Sequence, residues 1–266
     1  MPDEFERYAV YWVPGRSDGL ARFGASWMGW CAERGEIRPR PVDFDHAAEM
    51  LRYTRDVSRH GLHGVVNAPF VLGQGRSRWS VERALQAVAD RLPSFTLPRL
   101  EFAMVDGRVS LAPVQSDTAN CAALDDAVAR VAAAIAPLTD ADGILADSLS
   151  GRSQRMVTGG DTLGQRPATS AHRFHVPLTD RPDLRIAFRI IEQLKPRVEP
   201  LLGEVRRFTD LALMGDPGGG RPLRVLQRFE LSELPARQTV AALACMGRQT
   251  LVPTPSDSLA GAGIAI

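Results

Sequence analysis

Apolar positions from Tyr8 to Val13 follow the pattern of a first strand, and Pro14 to Gly19 reads as the turn that ends it. Leu20, Phe23, Trp27, Trp30 and Cys31 then recur at helical spacing, which predicts a helix that buries both indoles and ends at Cys31. A Pro-rich connector at Arg38-Pro39-Arg40-Pro41 leads to a helix over about 47–55, with His46 behind an Asp cap. From there a series of elements occurs twice. In the first series, a strand around Gly61-Leu62-His63-Gly64-Val65-Val66-Asn67 is followed by a helix over 80–91. The strand Leu100–Val105, an Asp106-Gly107 turn and the strand from Arg108 complete it. In the second, Arg173-Phe174-His175-Val176-Pro177 precedes a helix over 184–202 and the strand Phe208–Met214. A Gly-rich turn from Asp216 and the strand Leu223–Phe229 follow. Residue pairs tolerant of positive φ between apolar runs are strong hairpin signals. The interval from histidine to turn is also nearly the same, 63 to 106 and 175 to 216. An alanine-rich helix over 117–136 links the two series.

The repeated histidines carry the candidate chemistry. Alternation along a strand puts His63, Val65 and Asn67 on one face, and His175, Pro177 and Thr179 on another. Two imidazoles across one pocket can serve as general base and general acid, because histidine titrates near neutrality. His60 and His172 each stand three residues before one of these histidines. In a strand that spacing points to opposite faces, and the chain has no Cys-x-x-Cys, so neither a metal site nor a cofactor is expected.

The chain resembles the 2H phosphoesterase superfamily, and within it the branch often encoded with phosphonate-utilisation genes. Four regions carry the resemblance: Arg7 to Trp12, Leu20 to Trp30, the block from Gly61 to Phe70, and Arg173-Phe174-His175 with the late hairpin at Pro222 to Leu231. It implies an α+β fold of two pseudo-symmetric lobes, roughly 1–116 and 140–232, each an antiparallel sheet backed by helices. These would surround a cleft lined by His63 and His175, with some strands exchanged between lobes. The resemblance fades beyond Leu231, which leaves 233–266 as a C-terminal extension. It further implies metal-independent hydrolysis or transesterification of a small cyclic phosphate or phosphodiester.

The motifs depart from the family's pattern. Val65 and Pro177 stand where a Thr or Ser hydroxyl joins each histidine in holding phosphate, and Asn67 stands where a lysine is usual. Removing one preorganised donor to a developing oxyanion costs roughly 10²–10³ in rate. Compensation is expected from Asn67 and Thr179, four residues after each histidine, and from Arg152, Arg155 and Arg166 in the irregular stretch 140–171. Two other readings stay open: a divergent biosynthetic enzyme on the same scaffold acting on a small molecule without phosphate, and a non-catalytic ligand-binding protein.

Composition narrows the partners. With 266 residues, 44% hydrophobic and 24% charged, the chain can bury a substantial core. A formal charge of +1 and scattered arginines give no general attraction to nucleic acid, so the expected partner is a small-molecule substrate; a homodimer is compatible with the sequence. Cys31, Cys121 and Cys245 are widely spaced and odd in number, which favours reduced thiols in a cytoplasmic protein. No apolar run approaches the length that spans a membrane.

Overall fold

The computed structural model describes residues 4–41, 51–139 and 174–233. These residues form an α+β fold of antiparallel sheets and helices. The larger sheet contains β1 (Arg7–Trp12), β4 (Gly64–Phe70), β10 (Asp210–Asp216) and β11 (Arg224–Glu230), in the order β11-β10-β1-β4. The smaller contains β6 (Leu100–Val105), β7 (Arg108–Pro113) and the two-residue β8 (Val176–Pro177), in the order β6-β7-β8. Two short pairs lie beside them: β2 (Trp30–Cys31) with β3 (Glu36–Ile37), and β5 (Phe95–Thr96) with β9 (Arg207–Phe208).

Each hairpin is dictated locally. Asp106 and Gly107 both take positive φ, at 51° and 76°, the geometry that a two-residue hairpin matching strand twist requires. Gly218, Gly219 and Gly220 do the same for the β10–β11 connection. The pairing of these hairpins crosses between the two sequence series. The hairpin β6–β7 of the first series lies beside β8, which follows His175, while β10–β11 of the second joins the sheet that contains β4, which follows His63. Each sheet thus draws strands from both halves of the chain.

Helices back each sheet. Val81, Leu85 and Ala89 of α2 (Arg78–Ala89), with Leu124, Val128, Val131 and Ile135 of α3 (Thr118–Ile135), pack in one core with Tyr8, Val10, Trp12, Leu211 and Leu213 of the larger sheet. Helix α4 (Leu184–Leu202) lays Ala187, Ile190, Leu194 and Val198 against β6 and β7. Helix α1 (Gly19–Met28) packs on α4, and the Trp27 indole N–H donates to the Leu178 carbonyl at 2.8 Å.

α1 is shorter than its apolar periodicity predicts. Gly29 adopts a left-handed conformation, φ 69°, and its N–H closes on Ser26, so Trp30 and Cys31 open β2 and do not finish the helix. Trp30 is consequently only part-buried, its indole donating to the Leu223 carbonyl at 2.8 Å. The expected strand Phe208–Met214 is split into β9 and β10. Of the expected helix over 47–55, residues 51–52 are helical and 53–55 form a turn, while 47–50, all of 140–171 and the C-terminal extension after Glu233 lie outside the described residues. No helix among the described residues is long and apolar enough to cross a membrane.

The two sheets touch where the histidines are. The Val65 N–H of β4 donates to the His175 carbonyl at 2.9 Å, continuing the ladder from β4 towards β8. Phe174 fills the space over Gly64: a Cβ on Gly64 would lie 2.3 Å from the ring. Overpacking of this kind typically costs about 1–3 kcal/mol. Gly64→Ala is therefore expected to lower stability by about that amount in urea denaturation. Gly15→Ala, which meets nothing within 4 Å, should stay within about 0.5 kcal/mol of the native protein.

Candidate functional site

β1 separates two environments. Tyr8, Val10 and Trp12 enter the main core, while Ala9 and Tyr11 share a second apolar cluster with Ala212, Met214 and Leu223. Arg7 and Asp216 extend the row of this second face, because Arg7 and Asp216 are register partners at the end of β1 and β10. His60 and His63 belong to this face. Tyr11 stacks on His63 with ring centroids 4.1 Å apart, and Tyr11 Oη lies 2.9 Å from His60 Nδ1.

His60 sits on the same side as His63, and not opposite to it as the strand pattern implies. Val57–His60 is a 3-10 turn, and Gly61 at φ 68° bends the chain before His63, leaving the two rings 5.3 Å apart. Among the described residues no group of three or more His, Cys, Asp or Glu side chains is arranged to hold a metal ion.

His63 is 3% exposed and His175 9%. His63 Nδ1 lies 2.8 Å from the Gly61 carbonyl. A carbonyl only accepts, so Nδ1 carries the proton and Nε2 presents its lone pair. Burial holds the His63 pKa well below the usual histidine range, with further lowering from the charges of His60, His175 and Arg108 outweighing the Gly61 hydrogen bond. Partly buried His60 is pushed down to about 3, first by desolvation and then by Arg59, Arg108 and Arg7. Both rings are neutral at neutral pH.

Three guanidiniums therefore act on this histidine cluster, and each is fixed by a carboxylate. Arg7 reaches Asp216 Oδ2 through Nε at 3.1 Å and Nη2 at 2.8 Å, and Arg59 reaches Oδ1 at 3.4 Å. Arg108 contacts Asp180 Oδ1 at 3.4 Å, while Asp180 also accepts the Asp56 and Val57 N–H groups and so caps the turn that carries His60. Asp216 is 2% exposed, whereas the side chains of Arg7, Arg59 and Arg108 keep 28%, 24% and 30% of their surface open.

The other sequence-predicted residues are distributed unevenly. Val65 and Asn67 are half-buried on β4, and the Asn67 amide donates to the Ala68 carbonyl at 2.9 Å. Pro177 is buried opposite Ser110. The Thr179 hydroxyl accepts the Val109 N–H at 3.0 Å and donates to the Asp180 carbonyl at 2.8 Å, which occupies it in holding β7. Arg152, Arg155, Arg166 and His172 lie outside the described residues. Sequence reasoning missed Arg7, Arg59 and Arg108. The signal for Arg7 was present, since strand alternation aligns Arg7 with Tyr11.

Residues 65–224, more than half of the chain, match the family described as a protein of unknown function, DUF1045. The chain belongs to the DUF1045 family. The matched segment contains most of β4 with Arg108, His175, Thr179 and Asp216, while Arg7, Tyr11, Arg59, His60 and His63 lie before it. A stretch of 137 residues, half of this DUF1045 chain, is 34% identical to ribose 1,5-bisphosphate phosphokinase PhnN of Laribacter hongkongensis (strain HLHK9). That match spans 32% of the phosphokinase, so the chain covers about a third of the length of this curated relative.

The neutral His60 makes stability depend on pH. Its folded pKa is depressed to about 3 from 6.5. As the pH falls below about 6.5, the unfolded chain takes up a proton that the folded chain refuses until the pH nears 3. Thermal midpoints should therefore decline on acidification across that window and level off above it. His60→Asn should reduce the slope; an unchanged slope would place the titration elsewhere.

Proposed function

We propose that this DUF1045 protein is a phosphoesterase of the 2H type, which opens a small cyclic phosphate or phosphodiester with His63 and His175 as its acid–base pair. The observation that carries the reading is the charge around the neutral histidines: Arg7, Arg59 and Arg108 all depress His60, and Arg108 also acts on His63. Such a ring of part-exposed, carboxylate-anchored guanidiniums suits phosphate oxygens. It supplies the donors that Val65 and Pro177 cannot.

In this reading the free Nε2 of His63 takes the proton of the attacking water as its oxygen bonds to phosphorus. The bond from phosphorus to the departing oxygen breaks, and His175 donates the proton that this oxygen needs. A base held neutral well below its usual pKa is weak by itself. An anion beside it raises its basicity, so the substrate's phosphate completes the catalyst it meets. The relative named as a ribose 1,5-bisphosphate phosphokinase supports a phosphorylated ribose as the substrate class and a place in phosphonate metabolism.

A second reading has its own observation. The two cavities described among these residues, one about 450 Å³ and one about 350 Å³, are lined by neither His63 nor His175, and the Thr179 hydroxyl is already committed. This favours a ligand without phosphate, or binding without turnover.

Incubation with ribose 1,2-cyclic phosphate and nucleoside 2′,3′-cyclic phosphates, followed by phosphorus NMR, separates the two. Under the first reading a phosphomonoester accumulates. His63→Ala and His175→Ala each reduce the rate by about 10²–10⁴ without lowering the melting temperature by more than a few degrees, and Arg108→Gln weakens apparent affinity. No turnover, together with phosphate affinity that appears only in Val65→Thr/Pro177→Thr, would establish the second.

A further inference from the structure

The cavity of about 450 Å³ lies between α1, the β2–β3 pair and the segment leading to His63, and is of a size that holds a drug-sized molecule. Its lining is largely apolar, with Ala21, Ala25, Trp30 and Leu62 among the residues that face it. The lining also carries positive charge. Arg16, Arg22, Arg34 and Arg38 line the cavity against one acid, Glu33. That acid is already committed, because Arg228 grips its Oε2 at 3.0 and 2.6 Å, while Arg16 stands 3.8 Å from Oε1 with 63% of its side chain exposed. Arg34 and Arg38 share one oxygen of Glu36, and Arg22 hydrogen-bonds a neutral group, the Ser17 carbonyl, at 2.7 Å. An apolar lining with guanidiniums that outnumber their carboxylates selects a molecule with an apolar body and an anionic end.

We propose that this cavity is a second ligand site, separate from the histidine site, which takes a small organic acid with an aromatic or aliphatic body. Trp30 offers its indole face to the body and Arg22 its charge to the carboxylate. Cys31 lines the same cavity and is partly exposed, so it reports occupancy from within. The site does not depend on whether the histidines hydrolyse phosphate.

1-Naphthaleneacetate, decanoate and the neutral amide of naphthaleneacetate serve as probes, with iodoacetamide labelling of Cys31 and Cys121 read by peptide mass spectrometry. Either acid should slow labelling of Cys31 by about tenfold at saturation while leaving Cys121 unchanged. The amide should bind at least about tenfold more weakly, the loss expected for a charge-assisted contact, and added salt should weaken the acids because the lining charges are partly exposed. Ala25→Trp, which fills the cavity, should abolish protection; Arg22→Gln, which leaves the packing alone, should weaken the acids towards the amide's affinity. Absence of Cys31 protection by both acids would overturn the site. Equal protection by acid and amide, or protection that survives Ala25→Trp, would do the same.

Discussion

One backbone hydrogen bond, from Val65 to the carbonyl of His175, governs how this protein is put together. It is the point where the ladder of the larger sheet is carried over to the strand after the second histidine. Phe174 over Gly64 seals the same junction from the side-chain direction, with Trp12 as a further neighbour of the same ring. One histidine immediately precedes β4 and the other immediately precedes β8, so the ladder at this junction fixes the backbone from which both side chains leave.

The anchoring of charge follows the same economy. Asp216 and Asp180 each hold arginine and backbone N–H at once: Asp216 takes Arg7, Arg59 and the Gly218 amide of the glycine turn, and Asp180 takes Arg108 and the Asp56 and Val57 amides at the start of the 3-10 turn. The guanidiniums are thereby fixed while each side chain keeps about a quarter to a third of its surface open. Neutral histidines beside such cations are the electrostatic compromise that results. A protonated ring there would face repulsion and desolvation together.

Much of the scaffold was legible from the letters because local rules decide it. The Asp106-Gly107 hairpin, the helices over 78–89, 118–135 and 184–202, and the first strand all rest on turn chemistry or periodicity within a single element. The family resemblance allowed for strand exchange, but which hairpin joins which sheet was not legible, because alternation tells which residues share a face but not which strand lies alongside. His60 was misplaced for a related reason: a strand period was applied across Gly61, where positive φ ends the period. The cationic part of the site was hidden because its arginines come from three distant segments: Arg7 and Arg59 come together on Asp216, and Arg108 is held by Asp180. Gly29 likewise ended a helix that its apolar spacing continued.

The pairing of Arg7 with Asp216 joins positions 209 residues apart. β1 is a central strand, flanked by β4 and β10, so during synthesis on the ribosome it waits with one edge unpaired until nearly the whole described chain has emerged. Long-range strand pairing of this kind folds slowly and leaves the growing polypeptide open to association with its neighbours. Until β10 emerges, the unpaired edge of β1 is the place where a half-made chain can add a foreign strand.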